Sequence, residues 1–416
     1  MEKAIFKIKG ERLGMKLLDV CEFIVDCPHS TAPDEGKGYP LIRTPNIGRG
    51  RLKLDNVHRV SKDVYDKRNK RAVPQVDDII FAREAPAGNA AIICDGQEVC
   101  LGQRTVLIRP DKNKVYPQYL VYYILAPQQQ YELLGTANGA TVAHVNIPVI
   151  KNLSIQLPEM DKQIKIANTI SSYDDLIENN QKQIKLLEEA AQRLYKEWFI
   201  DLRFPGHEDV AIVDGVPEEW KKEPLSKVFT YVRGKSYTSK ELVENGGTLM
   251  VNLKNIRAFG GYNRNAEKRY SGKYKEEQKL NPGDLVMGVT DMTQERRLVG
   301  YVAIIPDIGE TMTFSMDLIK LIPLSIQKSF LYATMYFGGY SKKISPLANG
   351  VNVLHLKPEA MMNMEMLIPT KEVMDQYDVI FDTYQKKIET LQKQCDFAAE
   401  ARDRLLPKLM SGEIEV

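Results

Sequence analysis

The sequence repeats itself, and that constrains its fold more than any other feature. Ala137-Asn138-Gly139 returns as Ala348-Asn349-Gly350, an offset of 211 residues. Held without a gap, the offset pairs Val142 with Val353, His144 with His355, Pro158 with Pro369, Tyr173 with Tyr384 and Ile177 with Ile388. It runs on through Gln181 and Gln392, Arg193 and Arg404, and Leu194 and Leu405. A register kept through a loop motif, a proline and a long periodic segment marks a tandem duplication rather than two helices of similar composition. The offset far exceeds the roughly 20–50 residues of solenoid repeats, so each copy is a whole domain plus an appendage. A chain of 416 residues also exceeds what one hydrophobic core serves.

The appendage reads as helix. Asp161 to Phe199 contains no Gly or Pro, and its apolar residues fall at heptad spacing. One seam holds Ile170, Ile177, Ile184, Ala191 and Trp198; the other holds Ile166, Tyr173, Asn180, Leu187 and Leu194. The offset carries them onto Phe381, Ile388, Cys395, Arg402 and Leu409, and onto Tyr377, Tyr384, Leu391, Ala398 and Leu405. Helices of about 55–60 Å with so narrow an apolar stripe need a partner, and the nearest is the other copy. Asn180 faces the slot of Leu391, and Arg402 that of Ala191, polar seam positions of the kind that set register.

Before each helix lies a globular stretch of short β-rich runs. The first has Tyr39–Arg43, Asp78–Ala82, Asn89–Cys94 and Arg104–Arg109; the second has Thr248–Leu253, Asp284–Val289, Gly300–Ile305 and Leu318–Ile322. Asp77-Asp78-Ile79-Ile80 matches Gly283-Asp284-Leu285-Val286 at an offset of about 206, so the frame is kept in the helices and loosened in the globular parts. The expected class is α+β, mostly antiparallel: two β-rich domains separated by a pair of long antiparallel coiled-coil helices in a pseudo-two-fold tandem repeat. The expected boundaries are 1–158, 159–204 (helix and hinge), 205–369, and 370–416 (helix and tail), with the turn-rich Phe204–Pro217 between repeats.

The formal charge is only +2, but it is unevenly spread. Arg43 to Arg71 holds ten basic residues against three acidic; Lys254 to Lys275 holds seven against Glu267 alone. Both runs follow corresponding strands, and both mix Arg and Lys with Asn and Tyr, a chemistry suited to phosphates and base edges. Charge runs are usually solvated faces; recurrence at matching places favours nucleic acid. His144 and His355 each follow a Gly-containing loop and suit either phosphate contact or a structural cap.

Motifs for catalysis are absent. There is no phosphate-binding Gly-rich loop, no HExxH and no Gly-x-Ser-x-Gly elbow, nor the Asn/Asp-Pro-Pro-aromatic run of amino-methyltransferases. Cys21 and Cys27, like Cys94 and Cys100, are six apart, outside zinc spacing, so no metal site is expected. Five cysteines in 416 residues fit a reducing cytoplasm. No apolar run of about 18 residues spans a membrane, and Met1 to Gly14 lacks the apolar core of a secretory signal.

Two β-rich domains each followed by a long helix, with Ala-Asn-Gly-x-x-Val-x-His before the hinge, resemble the specificity subunit of type I restriction–modification enzymes. Leu157-Pro158, Gln163-x-x-Ile166-Ala167, Ile177-Glu178-Asn179-Asn180 and the C-terminal Leu405-Leu406-Pro407-Lys408-Leu409-Met410-Ser411-Gly412-Glu413-Ile414 add to it. The resemblance covers the whole chain, strongly in the helices and weakly in the globular parts. It implies a non-catalytic subunit whose two recognition domains each read half of a split double-stranded DNA site. The helices would set the spacer and dock two adenine-methylating subunits, with room for a translocating nuclease subunit. S-adenosylmethionine would then belong to the methylating partner, ATP and Mg to the nuclease, and no cofactor to this chain. Candidate DNA contacts are Arg43, Asn46, Arg49, Arg51, Lys53, Arg83, Arg104, Asn138, Thr141 and His144 in the first copy. In the second they are Asn252, Lys254, Asn255, Arg257, Arg264, Lys268, Arg269, Arg296, Arg297, Asn349, Asn352 and His355. The rival reading is a coiled-coil protein-interaction scaffold whose basic patches are incidental.

Overall fold

A computed structural model describes residues 15–135, 144–264 and 266–416. The chain divides into two compact units. Unit 1 combines the chain up to Asn180 with Gln394–Val416, and unit 2 is Gln181–Lys393.

In unit 1 the main sheet runs in the order Cys21–Asp26, Thr105–Pro110, Ile79–Ala82, Ala90–Ile92 and Gly50–Arg51. Its pairings are antiparallel except the last, which is parallel. A smaller sheet sets Tyr39–Ile42 between Arg59–Val60, antiparallel, and Cys100–Leu101, parallel. Ile79-Ile80-Phe81-Ala82 is apolar throughout because both faces of its sheet are covered. Ile79 and Phe81 enter one buried cluster, Ile80 and Ala82 another.

Unit 2 repeats the plan. Its four-stranded antiparallel sheet runs Phe229–Arg233, Leu318–Pro323, Leu285–Gly288 and Val302–Ile304. The companion sheet orders Leu242–Val243, Lys268–Tyr270, Thr248–Val251, Met312–Phe314 and Lys279–Leu280, with one parallel pairing, Thr248–Val251 against Met312–Phe314. Leu285 and Met287 face one cluster and Val286 the other, matching the central strand of unit 1. Every strand expected from the sequence falls on an observed one. The outer strands Cys21–Asp26 and Phe229–Arg233 were missed, and so were the parallel pairings.

The first long helix, Met160–Tyr195, closes in a π-turn at Lys196–Ile200; the second, Lys371–Ser411, carries Pro407 inside it. Pro407 lies in the closing turns of that helix and removes one backbone donor there. Each unit owns a piece of both helices. In unit 1, Asp174 bonds Arg402, the Ile177 carbonyl accepts from the Cys395 thiol, and Asn180 bonds Gln394, so the two pieces run in opposite directions. Leu406 and Leu409 share a core with Ile166 and Ile170. In unit 2, Tyr377 packs against Tyr195, Trp198 and Phe199. All the heptad positions are buried or half-buried, including Tyr173, Ile184, Leu187, Leu194, Tyr384, Ile388, Leu391 and Leu405. Among the described residues no helix is long and apolar enough to cross a membrane.

Candidate functional site

In unit 1 the strand Ile79–Ala82 runs directly into Arg83 and Glu84, and these two organise a corner of charged side chains. Arg83 donates from Nη1 to Asp26 at 3.2 Å, from Nε to the Val145 carbonyl at 3.0 Å, and from Nη2 to His144 Nε2 at 2.7 Å. A guanidinium only donates, so His144 Nε2 accepts, and the ring proton sits on Nδ1, 2.7 Å from Glu84. Glu84 also pairs with Arg104 at 2.8 Å, and Asp26 with His29 at 3.0 Å. The Val145 amide donates to the Arg83 carbonyl, which fixes the histidine segment to the strand end. Asn138 and Thr141 lie outside the described residues.

The basic run from Arg43 to Arg71 is not the open patch that its composition suggests. Arg68 is buried, its guanidinium donating to the carbonyls of Leu101, Ser30 and Pro28, and burial lowers its pKa. Arg49, Arg59 and Arg71 each donate to a carbonyl, of Leu125, Gly38 and Asp26 respectively. Arg51 reaches Asp175 on the long helix at 2.7 Å; burial opposes its charge and the carboxylate outweighs that. Lys53 is exposed. Asn46 is buried: it accepts from the Arg43 amide and donates to the Lys53 carbonyl.

Beside this run is an open cleft of about 270 Å³ whose walls bring Arg43, Arg68, Gln103 and Arg104 together. Arg104 occupies it from a left-handed backbone, φ 64°, a conformation uncommon for a residue with a side chain.

Unit 2 uses the same frame with other chemistry. The Leu356 amide donates to the Val289 carbonyl, the counterpart of Val145 to Arg83. His355 is exposed and its Nδ1 lies 3.5 Å from the Thr290 hydroxyl, with neither arginine nor glutamate on it. Next to Thr290, Asp291 is buried and accepts from the amides of Thr293, Leu298 and Val299, shaping the loop that carries Arg296 and Arg297. Burial raises the Asp291 pKa, the amides lower it, and the net shift is downward. Arg297 pairs with Glu295, while Arg296 Nε is buried without a partner at φ 51°. Asn349 and Asn352 are exposed on the loop before His355.

The second basic run is also largely committed inside the fold. Arg264 bonds Glu389 at 2.8 Å, Arg269 grips Glu310 at 3.1 Å through both guanidinium ends, and Lys268 donates to the Tyr237 hydroxyl at 3.0 Å. Arg257 stands 3.8 Å from Glu188, and Lys254 is exposed. Asn255, fully buried, accepts from the Asn252 amide at 2.9 Å and donates to the Asn263 carbonyl at 2.9 Å. That repeats the role of Asn46, while Asn252 caps its own turn by accepting from Lys254 N and donating to the Ala266 carbonyl. Asn46, Asn252 and Asn255 therefore lock turns and do not face a ligand.

Arg43, Arg83, Arg104 and His144 thus gather at one corner of unit 1, and Arg296, Arg297, Asn349, Asn352 and His355 at one end of unit 2. Arg49, Arg51, Arg264 and Arg269 are spent on internal contacts. Sequence reasoning missed Asp26, Glu84, Gln103 and Asp291. For Glu84 a signal existed, an arginine–glutamate pair at a strand end; for Asp26 there was none.

The chain as a whole finds counterparts in known proteins. The family model described as type I restriction modification DNA specificity domain matches twice, over residues 14–189 and 217–396. The MjaIX specificity subunit of the type I restriction enzyme from Methanocaldococcus jannaschii is 26% identical over 349 residues, covering 81% of this chain and 78% of its own. The HindI specificity subunit from Haemophilus influenzae is 22% identical over 412 residues, covering 83% and 88%. Among solved structures, a type I restriction–modification S subunit from M. genitalium aligns over 97% of this chain and 98% of its own with a TM-score of 0.56 at 15% identity.

Proposed function

Because the chain belongs to the family of type I restriction–modification DNA specificity domains, we propose that it reads a split DNA site, one half through each unit, and performs no chemistry itself. The observation that carries this is the doubled frame with undoubled corners. The backbone bond that fixes the histidine segment occurs in both units, yet the side chains around it differ completely. Two readers of one construction with different contact residues are what a bipartite, asymmetric target requires.

In this reading the long helices form an antiparallel coiled-coil spacer between the readers, and adenine-methylating subunits dock along it. Supporting that, Leu186 and Phe397 occupy equivalent repeat positions and leave large apolar side chains 63% and 68% exposed, one on each unit. Two equivalent exposed apolar positions suit two copies of one partner. The methyl donor would be bound by that partner, and ATP and Mg by a nuclease subunit where one joins.

The test is a binding assay of the chain, assembled with its methyltransferase, on a duplex library with two variable half-sites. The expected result is enrichment of one bipartite motif. Exchanging residues 215–369 for those of a relative should change one half-site and leave the other. No preference over scrambled DNA would sink the reading and favour a protein-interaction scaffold.

A further inference from the structure

The cleft of about 270 Å³ in unit 1 has an unusual wall for a soluble protein surface: three guanidiniums, from Arg43, Arg68 and Arg104, and no carboxylate among its lining residues. Arg68 forms part of the wall as a buried charge balanced only by carbonyl oxygens. Arg43 is half-buried in the same wall, its Nε enclosed without a hydrogen-bond partner, so the accessible part of its guanidinium is what the cleft can offer a ligand. Arg104 does pair with Glu84, but its side chain is 63% exposed, so the pair is loose and screened.

Backbone geometry also holds the cleft open. Gly102 sits so close to its neighbours that an added Cβ would come within 2.7 Å of the Ile42 carbonyl and 3.0 Å of Arg43 Cγ. No side chain fits there, and the following two residues, Gln103 and Arg104, are presented at the rim. Gln103 is anchored by a 2.6 Å bond to the His29 carbonyl, and Thr44, also in the wall, by one of 3.1 Å to the Ala85 carbonyl.

We infer that this cleft is a receptor for one phosphate of the DNA backbone, with Arg43 and Arg104 as its ligands over the fixed charge of Arg68. The inference rests on the proposed reading of the chain as a DNA-recognition subunit. A phosphate is favoured over a base edge by shape as well as charge. Base edges lie at the bottom of a groove and are reached by a protruding element, whereas phosphates stand out from the duplex and enter a recess.

Among the described residues, unit 2 shows no equivalent at the matching positions. Asn252 stands where Arg43 does at the start of the matching turn. Ser315-Met316-Asp317 precedes the strand Leu318–Pro323 where Gly102-Gln103-Arg104 precedes Thr105–Pro110. The clamp therefore belongs to one half-site only.

The test uses the chain assembled with its methyltransferase, and a cognate duplex carrying a neutral methylphosphonate at one backbone position at a time. One position in the unit 1 half-site should cost the wild-type complex roughly tenfold in affinity. The double variant Arg43→Gln, Arg104→Gln should lose about the same on unmodified cognate and scrambled duplexes alike, should ignore that methylphosphonate, and should show a salt slope shallower by about 0.9. Circular dichroism and Arg68 N–H protection would confirm that the variant is folded. A changed specificity ratio with an unchanged slope would make the cleft a base reader and overturn the inference. So would a variant that binds every duplex as the wild type does, or one that loses only inorganic phosphate binding, followed in the wild type at the Arg43 Nε–H resonance. If the wild type shows no bipartite preference at all, it is the broader reading that fails.

Discussion

The same corner of the two units holds opposite kinds of chemistry. In unit 1 a histidine is clamped between Arg83 and Glu84, with Asp26 and Arg104 behind them. In unit 2 the equivalent histidine ring lies 3.5 Å from the Thr290 hydroxyl, and the neighbouring carboxylate, Asp291, is turned inward onto amides. Both corners nevertheless hang from the same backbone bond. The frame is thus specified by main-chain pairing and buried apolar residues, which constrain side chains at the strand ends very little. A duplicated recogniser gains two independent specificities this way without two independent folds.

The comparison is broken most forcefully at the helix pieces. Arg402 and Asp174 form an ion pair whose side chains are 14% and 3% exposed, and Asp174 also accepts from the Tyr122 hydroxyl at 2.6 Å. Arg402→Met strands that carboxylate and should cost unit 1 about 3–4 kcal/mol. In unit 2, Arg264→Met frees Glu389, which is 31% exposed and rehydrates, for a cost of about 1 kcal/mol. Denaturant titration followed by amide exchange in each unit measures both, and equal losses would refute the role given to burial.

At the corners the contrast should be smaller. Arg83→Met removes a guanidinium 11% exposed that serves Asp26, His144 and the Val145 carbonyl, an expected loss of about 2–3 kcal/mol. Thr290→Val should stay within about 1 kcal/mol, since its one contact is long. Exchange of the Val145 and Leu356 amides reports on each corner separately.

The smallest effect is a pH signature confined to unit 2. Glu359 has its pKa lowered to about 2, chiefly by the Tyr231 hydroxyl, with Arg233 assisting. A carboxyl depressed in the folded state stabilises above its ordinary value of 4.5, and that contribution is lost as pH falls from there towards 2. Glu359→Gln should flatten the acid dependence of unit 2 in that window and leave unit 1 unchanged.

What the sequence made legible was whatever recurs. The 211-residue offset located both histidines, both helices and their seams, and short β-rich runs located the inner strands. What it concealed lies in pairings between residues far apart. Arg83 meets Asp26 across 57 residues, and no spacing rule connects them. Composition misled where an arginine's charge was taken as a surface property: Arg68 looks like part of a basic patch and is a buried tie between three carbonyls. Asn46 and Asn255 mislead alike, since an amide that reads adenine and one that locks a turn are identical in a sequence.

The division of the two long helices between the units has a consequence during synthesis. Unit 2 is complete once Lys393 has left the ribosome, whereas unit 1, begun first, still lacks Leu406 and Leu409 of its core. The half translated earlier is therefore the half that finishes folding last, and a nonsense codon between Lys393 and Leu409 deprives unit 1 of core residues while sparing unit 2.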